Sequence, residues 1–418
     1  MRKSEPTDVL YIEPYVHIFS DADYYLLYNT STMASLECER SNDIDTLFRR
    51  LKAKHNLHST DVSGWELQKS PALKRLVANI KKEYFGDLLP KSLLKKNPAH
   101  FIPNICIQKD INRLQRVSPE RKGTGLLTYI NEIFLFINSA PLSTNLRFPT
   151  AYKQFPYNLK NRQIRHLLDV ETIRGLCSSL AGSSLSQINI LGGNIFNHPQ
   201  FPRILDYLGN LSYRKKFFVN LDHSPKEEEL QSILDLGNAS VELLTSLPID
   251  KKRINRISQS LHRYPHCYHF IVESAEDVAQ ISKIVSEPQF GNYVFRPYYN
   301  GRNLDFFKDL VFVTKEDILN SSVSEKKILA RQALNPFNFG KLYILNDGSA
   351  YANLNRPQVG NIKTDPVQSL ILRILEREKS WTRTRKHVAP CKSCRFHALC
   401  PPISNYEYVL GRYNLCRV

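Results

Sequence analysis

From residue 130 to residue 300 the chain alternates short apolar runs with stretches whose apolar positions recur every three or four residues. The apolar runs read as strands at Ile133–Ile137, Ile188–Leu191, Lys216–Leu221, Val241–Leu247, Tyr268–Val272 and Tyr293–Tyr298. Ile133–Ile137 is apolar at every position, the signature of a strand covered on both faces. Between them the helical period predicts helices over Gln163–Leu180, near Phe201–Leu208 and near Ile249–His262. Ser224-Pro-Lys-Glu227 predicts a capping box with an early proline, for a helix that Gly237 ends, and Ser274-Ala-Glu-Asp277 predicts a second cap. Repeated strand–helix alternation implies an α/β fold with a parallel sheet and right-handed crossovers, either doubly wound or curled into a partial barrel.

The pattern ahead of this region is different. Tyr15–Phe19 and Tyr24–Tyr28 flank Ser20-Asp-Ala-Asp23 and read as a hairpin, with Ala34–Cys38 as a third strand. Helices are predicted over Asp43–Ala53 and Ser70–Tyr84, the second with Ser70 as cap and Pro71 in its first turn, and Asn56–Gly64 as a loop. Residues 86–126 hold Pro90, Pro98, Pro103 and Lys95-Lys96, and read as a basic linker or saddle. The expected domains are 1–90, 91–126 (linker), 127–330 and 331–418.

Composition bounds the function. The chain has 418 residues, room for two or three cores. It holds no apolar window long enough to span a membrane and no signal-peptide pattern at its start. Its few, unevenly placed cysteines fit a reducing, cytoplasmic setting. Net charge is +17, concentrated in residues 68–122 and 371–418, while residues 1–60 carry 7 basic and 9 acidic side chains. Such basicity raises nucleic acid as a partner, but no nucleic-acid motif accompanies it, and solvated helix faces plus a basic collar account for it.

Half of the eight cysteines fall in the last 28 residues, as Cys391, Cys394, Cys400 and Cys416. The C-x2-C-x5-C spacing brings three thiolates to one centre, and Cys416 returns to close a four-sulfur shell. Soft thiolates at this density select an iron–sulfur cluster or zinc. Cys38, Cys106, Cys177 and Cys267 stand far apart and read as small buried hydrophobes.

The tail resembles the second half of a SPASM domain, the C-terminal module of radical-SAM peptide maturases. The resemblance implies that Cys391, Cys394, Cys400 and Cys416 hold one auxiliary 4Fe-4S cluster. Gly340–Asn353 looks like the family's strand–turn–strand hairpin, and Gln358–Ile362 matches its step into a helix; a second auxiliary cluster is not implied, because the family's next cysteine is Ser404 here and the hairpin ends Tyr351-Ala352-Asn353 without its ligand. The first 90 residues resemble a winged-helix leader-recognition module, in which a precursor peptide adds a strand beside the hairpin; a plain packing domain fits the same pattern. The middle resembles the partial (β/α)6 barrel of the radical-SAM superfamily. A radical-SAM enzyme carries C-x3-C-x2-C after its first strand, and the matching residues 138–155 contain no cysteine. The family's Gly-Gly-Glu-Pro reads Gly192-Gly193-Asn194-Ile195, so the SAM-binding carboxylate is gone.

The pattern as a whole resembles the pseudo-radical-SAM/SPASM proteins of Bacteroidales peptide-modification systems. It implies a non-catalytic partner of an active radical-SAM maturase and a precursor peptide, with no catalytic residues and no SAM cleavage. Two rivals stand beside it. One is a redox enzyme or electron-transfer subunit using the tail cluster, with His223, Glu273, Arg296 and Tyr298 at the barrel mouth. The other is a zinc-braced, basic nucleic-acid binder.

Overall fold

The computed structural model describes residues 7–53, 55–91, 109, 112–113, 125–139, 147–159, 166–286 and 291–418. Most of the expected linker, Cys106 and the expected start of the helix at Gln163 lie outside the described residues.

The chain opens with two small antiparallel sheets. Strands β1 (Thr7–Ile12), β2 (Val16–Ser20), β3 (Tyr24–Asn29) and β4 (Ser35–Glu39) lead into helix α1 (Asn42–Leu51), strand β5 (Ser59–Ser63), helices α2 (Gly64–Lys69) and α3 (Pro71–Lys82), and strand β6 (Gly86–Pro90). One sheet runs β2-β3-β4 and the other β5-β1-β6. The hairpin, its third strand and both main helices match the sequence reading, with Ser70 capping α3 through Leu73 N. Two expectations are corrected. Residues 59–63, read as a loop, and 86–90, read as linker, are strands that pair with the two edges of β1. Neither shows a long alternation; each is strand because β1 offers it a ladder.

The large sheet comes next. Its strands are β7 (Glu132–Phe136), β8 (Gln187–Leu191), β9 (Arg214–Asn220), β10 (Ala239–Ser246), β11 (His266–Val272) and β12 (Tyr293–Pro297). Between them run α4 (Val170–Ser179), α5 (Phe201–Gly209), α6 (Glu227–Leu234), α7 (Lys251–Leu261) and α8 (Ala275–Val285). The expected helix over Gln163–Leu180 therefore starts at Val170, where Asp169 caps it. Ser274 caps α8 as expected. Ser224 does not cap α6: it takes a left-handed backbone, φ 52°, and the helix starts two residues later, where Glu229 Oε2 accepts from Lys226 N at 2.8 Å.

The remaining elements are β13 (Val313–Thr314), β14 (Lys341–Ile344), β15 (Ser349–Tyr351), β16 (Gly360–Asn361) and β17 (Cys416–Arg417), with helices α9 (Leu304–Leu310), α10 (Lys315–Asn320), α11 (Glu325–Ala333), α12 (Val367–Arg373) and α13 (Asn405–Leu410). Strand order is β12-β11-β10-β9-β8-β7-β14-β15-β16, with β7 to β12 and β14 parallel. The order steps by one without the reversal that a doubly wound sheet shows. This is the winding of a barrel, left open because β12 and β16 end the sheet.

The two faces of this sheet are buried differently. Ile133, Leu135, Ile188, Ile190, Phe217, Val241, Leu243 and Phe270 point to the helices and form the main core with α4 to α8. Phe134, Phe136, Leu191, Phe218, Leu244 and Ile271 point the other way, into a second core that none of those five helices reaches. Trp381, fully buried, fastens the tail to β14: its Nε1 donates to Lys341 O at 3.1 Å, and its carbonyl accepts from Asn335 N at 2.8 Å. Trp381→Ala is expected to cost about 3–5 kcal/mol, the usual range for emptying a buried aromatic site, measured by urea unfolding of the full chain.

Candidate functional site

Part of the inner face of the sheet is covered by the chain itself. Residues 147–159 follow the first strand and lie across its C-terminal side, where barrel enzymes place their chemistry. Phe148, Ala151, Phe155, Tyr157 and Leu159 of this segment are buried among Phe134, Phe136, Leu191, Phe218 and Leu244. Polar side chains lock the plug to every side of the opening. Gln154 makes a two-way pair with the Tyr299 backbone, donating at 2.9 Å and accepting at 2.8 Å. Asn220 donates to Tyr157 OH at 3.2 Å, and Asn355 donates to Lys153 O at 2.7 Å.

Three of the four expected mouth residues are committed to this plug. Tyr298 OH meets Thr150 Oγ1 at 2.9 Å, Asn158 donates to His223 Nε2 at 3.0 Å, and Glu273 faces Arg147 at 3.8 Å. Burial pushes the His223 imidazole below its ordinary value, with Asp222 opposing. Arg296, the fourth, does not stand at the mouth. It lies inside β12 and donates through Nε to His269 Nδ1 at 2.9 Å.

Arg296 belongs to a polar layer on the inner face that sequence reasoning missed. Glu242 accepts from His269 Nε2 at 2.6 Å and from Lys216 Nζ at 2.9 Å. A guanidinium only donates, so His269 Nδ1 is the acceptor and Nε2 carries the hydrogen. The ring is therefore neutral; burial lowers its pKa, outweighing the Glu242 hydrogen bond, and Arg296 and Lys216 add to the lowering. Burial alone would raise Glu242, but the His269 and Lys216 hydrogen bonds outweigh it and hold the carboxyl at about 2. Cys267 also lines this layer, half-buried, rather than sitting in an apolar core as expected. Cys177 does sit in the main core. Ligand atoms of Glu242, Cys267 and His269 lie within 4.8 Å of one another. The donor Arg296 on Nδ1 leaves His269 no lone pair for a metal, so the group reads as an ion-pair chain. The alternation of β9 to β12 carried the signal: Lys216, Glu242, His269 and Arg296 are polar residues at inward positions.

The positions matched to a SAM site serve the turn after β8. Gly192 has φ 150°, and a Cβ there would meet Asn138 Oδ1 at 2.4 Å and Asn138 O at 2.5 Å. Asn138 in turn donates to Asn194 O at 2.6 Å. The Asn194 side chain is spent accepting from Phe196 N at 3.2 Å, and Gly193 is buried beside it.

The tail brings its four cysteines together. Cys391, Cys394, Cys400 and Cys416 lie within electrostatic reach of one another in all six pairs, and none forms a disulfide. Burial raises the thiols of Cys391 and Cys394, and pushes Cys400 to about 12. Donors are arranged around the sulfurs. Phe396 N–H meets Cys394 Sγ at 3.4 Å, and Arg385 Nη1 meets Cys391 Sγ at 3.5 Å. Arg385 is buried, held by Glu407 Oε1 at 2.6 Å and Tyr413 O at 2.8 Å. A buried cation near Cys391 and Cys400 fits a centre that carries negative charge when the sulfurs are deprotonated.

The two positions that differ from the resembled family stand close together, Asn353 bonding the residue next to Ser404. Asn353, at the hairpin end, donates to Asn405 Oδ1 at 2.7 Å and to Asn338 Oδ1 at 3.0 Å. Ser404 caps α13 in a box with Glu407, the carboxylate that holds Arg385. Amides and a hydroxyl network fill this corner.

No protein-family model matches the chain, and no curated protein matches its sequence. Solved structures do resemble it in fold. Streptococcus suis SuiB bound to its precursor peptide SuiA is 11% identical, with a TM-score of 0.50 over 97% of this chain and 98% of that one. SuiB alone gives 0.49 at 11% identity, over 98% and 100%. Histidine-tagged anSMEcpe with bound AdoMet gives 0.45 at 14% identity, over 65% and 87%.

The Glu242–His269 pair sets a pH dependence. His269 is held below its ordinary 6.5 and Glu242 falls from 4.5 to about 2. A depressed folded-state pKa contributes stability that is present above the unfolded value and is lost as pH falls toward the folded one. Unfolding free energy is therefore expected to decline below pH 6.5, with Glu242 adding its share between 4.5 and about 2. His269→Gln is expected to flatten the upper part of that slope in urea titrations run across pH.

Proposed function

We propose that this chain is a non-catalytic partner in ribosomal peptide maturation, carrying one 4Fe-4S cluster on Cys391, Cys394, Cys400 and Cys416. It binds a precursor peptide, an active radical-SAM maturase, or both. The observation that carries the reading is the plug: residues 147–159 occupy the inner face where a radical-SAM enzyme would hold its cofactor and substrate. The loop that would carry the three cluster thiolates has no cysteine. SuiB, which shares the fold, is bound to a precursor peptide in its structure, and this supports a peptide partner here. Strand β4 pairs only with β3 among the described residues, beside α3, and offers such a peptide an edge.

A cluster rather than zinc is favoured by spacing. The tail has one C-x2-C followed by five residues and then a distal cysteine, whereas structural zinc sites usually pair two short knuckles. Bound there, a cluster stores an electron or braces the fold, and four thiolates leave no iron open to substrate. Arg385 and the Phe396 N–H supply the positive side of that arrangement.

Two measurements test the reading. Anaerobically purified protein is expected to hold about four iron and four sulfide per chain, lost in a Cys391→Ala/Cys394→Ala variant; about one zinc instead would remove the cluster. The chain is also expected to retain the maturase or precursor peptide encoded beside it in co-purification, while forming no 5′-deoxyadenosine from SAM. Retention of neither would end the partner role, and SAM cleavage would end the non-catalytic one.

A further inference from the structure

The open edge of the large sheet carries features that the plug and the tail leave unused. Strand β12 pairs with β11 on one side, and among the described residues no strand pairs with its other side. Tyr268 N donates to Asn292 O at 2.9 Å and Tyr298 N to Val272 O at 2.8 Å. In a parallel ladder this phase turns the backbone groups of Asn292, Val294, Arg296 and Tyr298 toward β11. The groups of Tyr293 and Phe295 then face the open edge. The free edge stops at Pro297, whose carbonyl accepts from Tyr406 OH at 2.9 Å. Tyr293 and Val294 are exposed.

Arg296 projects from this same strand onto the inner face. Its Nε is anchored on His269, which Glu242 and Lys216 hold in turn. No described side chain takes its two Nη groups, and the residue is half-buried rather than sealed. The layer holds two cations, Lys216 and Arg296, and one carboxylate, Glu242, which Lys216 and His269 contact and Arg296 reaches only through His269, so it keeps a surplus positive charge. An anchored guanidinium with its fork free is a carboxylate receptor.

We propose that β12 docks an extended acidic peptide: the peptide backbone pairs with Tyr293 and Phe295, and an inward carboxylate side chain seats on the Arg296 fork. This rests on the peptide-partner reading and gives that partner a second edge, besides β4, and a charge. Neighbouring inward positions on paired strands stand about 5 Å apart, within reach of a Glu side chain.

The probe is a fluorescein-labelled decapeptide of alternating Val and Glu, beside its Val/Gln counterpart and a form N-methylated at alternate backbone nitrogens. Fluorescence anisotropy with the full chain is expected to show the Glu peptide bound about tenfold or more tightly than either control. Arg296→Gln is expected to erase the Glu/Gln difference, and Arg296→Lys to keep part of it, with iron content unchanged in both. Equal binding of the Glu and Gln peptides, no binding of either, or discrimination that survives in Arg296→Gln would overturn the proposal. If the peptide measurements fail while the unaltered chain still co-purifies with the maturase or precursor, only the docking strip falls and the partner role stands.

Discussion

A parallel sheet with all its helices on one side must bury its other side against something. Here that burden falls on residues 147–159, and the rest of the barrel is arranged around them. The ends of β9, β11 and β12 spend His223, Glu273 and Tyr298 on holding the segment, and Asn355 reaches across from the hairpin side to Lys153. Side chains that a catalytic barrel would direct at a substrate are directed at the chain itself. The opening is closed by packing and by hydrogen bonds of ordinary length, so its contents belong to the folded structure.

Most of the fold could be read before the structure was known. The six strands between 132 and 297 announce themselves through apolar runs, and Ser70 and Ser274 through their caps. β5 and β6 were missed because neither has an internal pattern; their strand character comes from β1, a tertiary effect that no local window contains. Ser224 misled for the opposite reason. Its local sequence satisfies a capping box, but the turn after β9 takes a left-handed residue there and moves the helix start on. For the sites, the grouping of the tail cysteines was legible because cysteines are sparse elsewhere in the chain. The plug was not, since Phe148, Phe155 and Tyr157 sit among loop-like residues and gain meaning only from the face they cover. The Lys216–Glu242–His269–Arg296 chain was hidden because its members lie on four strands, 80 positions apart from first to last.

The tail departs from its resemblance in a way that is structurally consistent. Where the family has a second set of thiols, Asn353, Asn405, Asn338 and Ser404 form a connected set of amides and a cap. The cap's acid, Glu407, also holds Arg385 against Cys391. The corner without thiols thus supports the corner that has them, and Arg385 is the link.

The residue between the second and third tail cysteines joins the two ends of the chain. Arg395 donates to Glu37 at 2.7 Å and pairs with Asp21, while its guanidinium stacks 4.6 Å from the Tyr24 ring centre. Around it, Phe19, Leu26 and Tyr28 share a core with Phe396, Leu399 and Cys400. One face of the β2-β3-β4 sheet is therefore built from residues made more than 350 positions later. During synthesis at about 5–20 residues per second, that face stays bare for tens of seconds after its strands leave the ribosome. The early sheet folds to completion only when the cysteine segment arrives, which makes the first strands the longest-exposed aggregation risk in the chain and the tail their final cover.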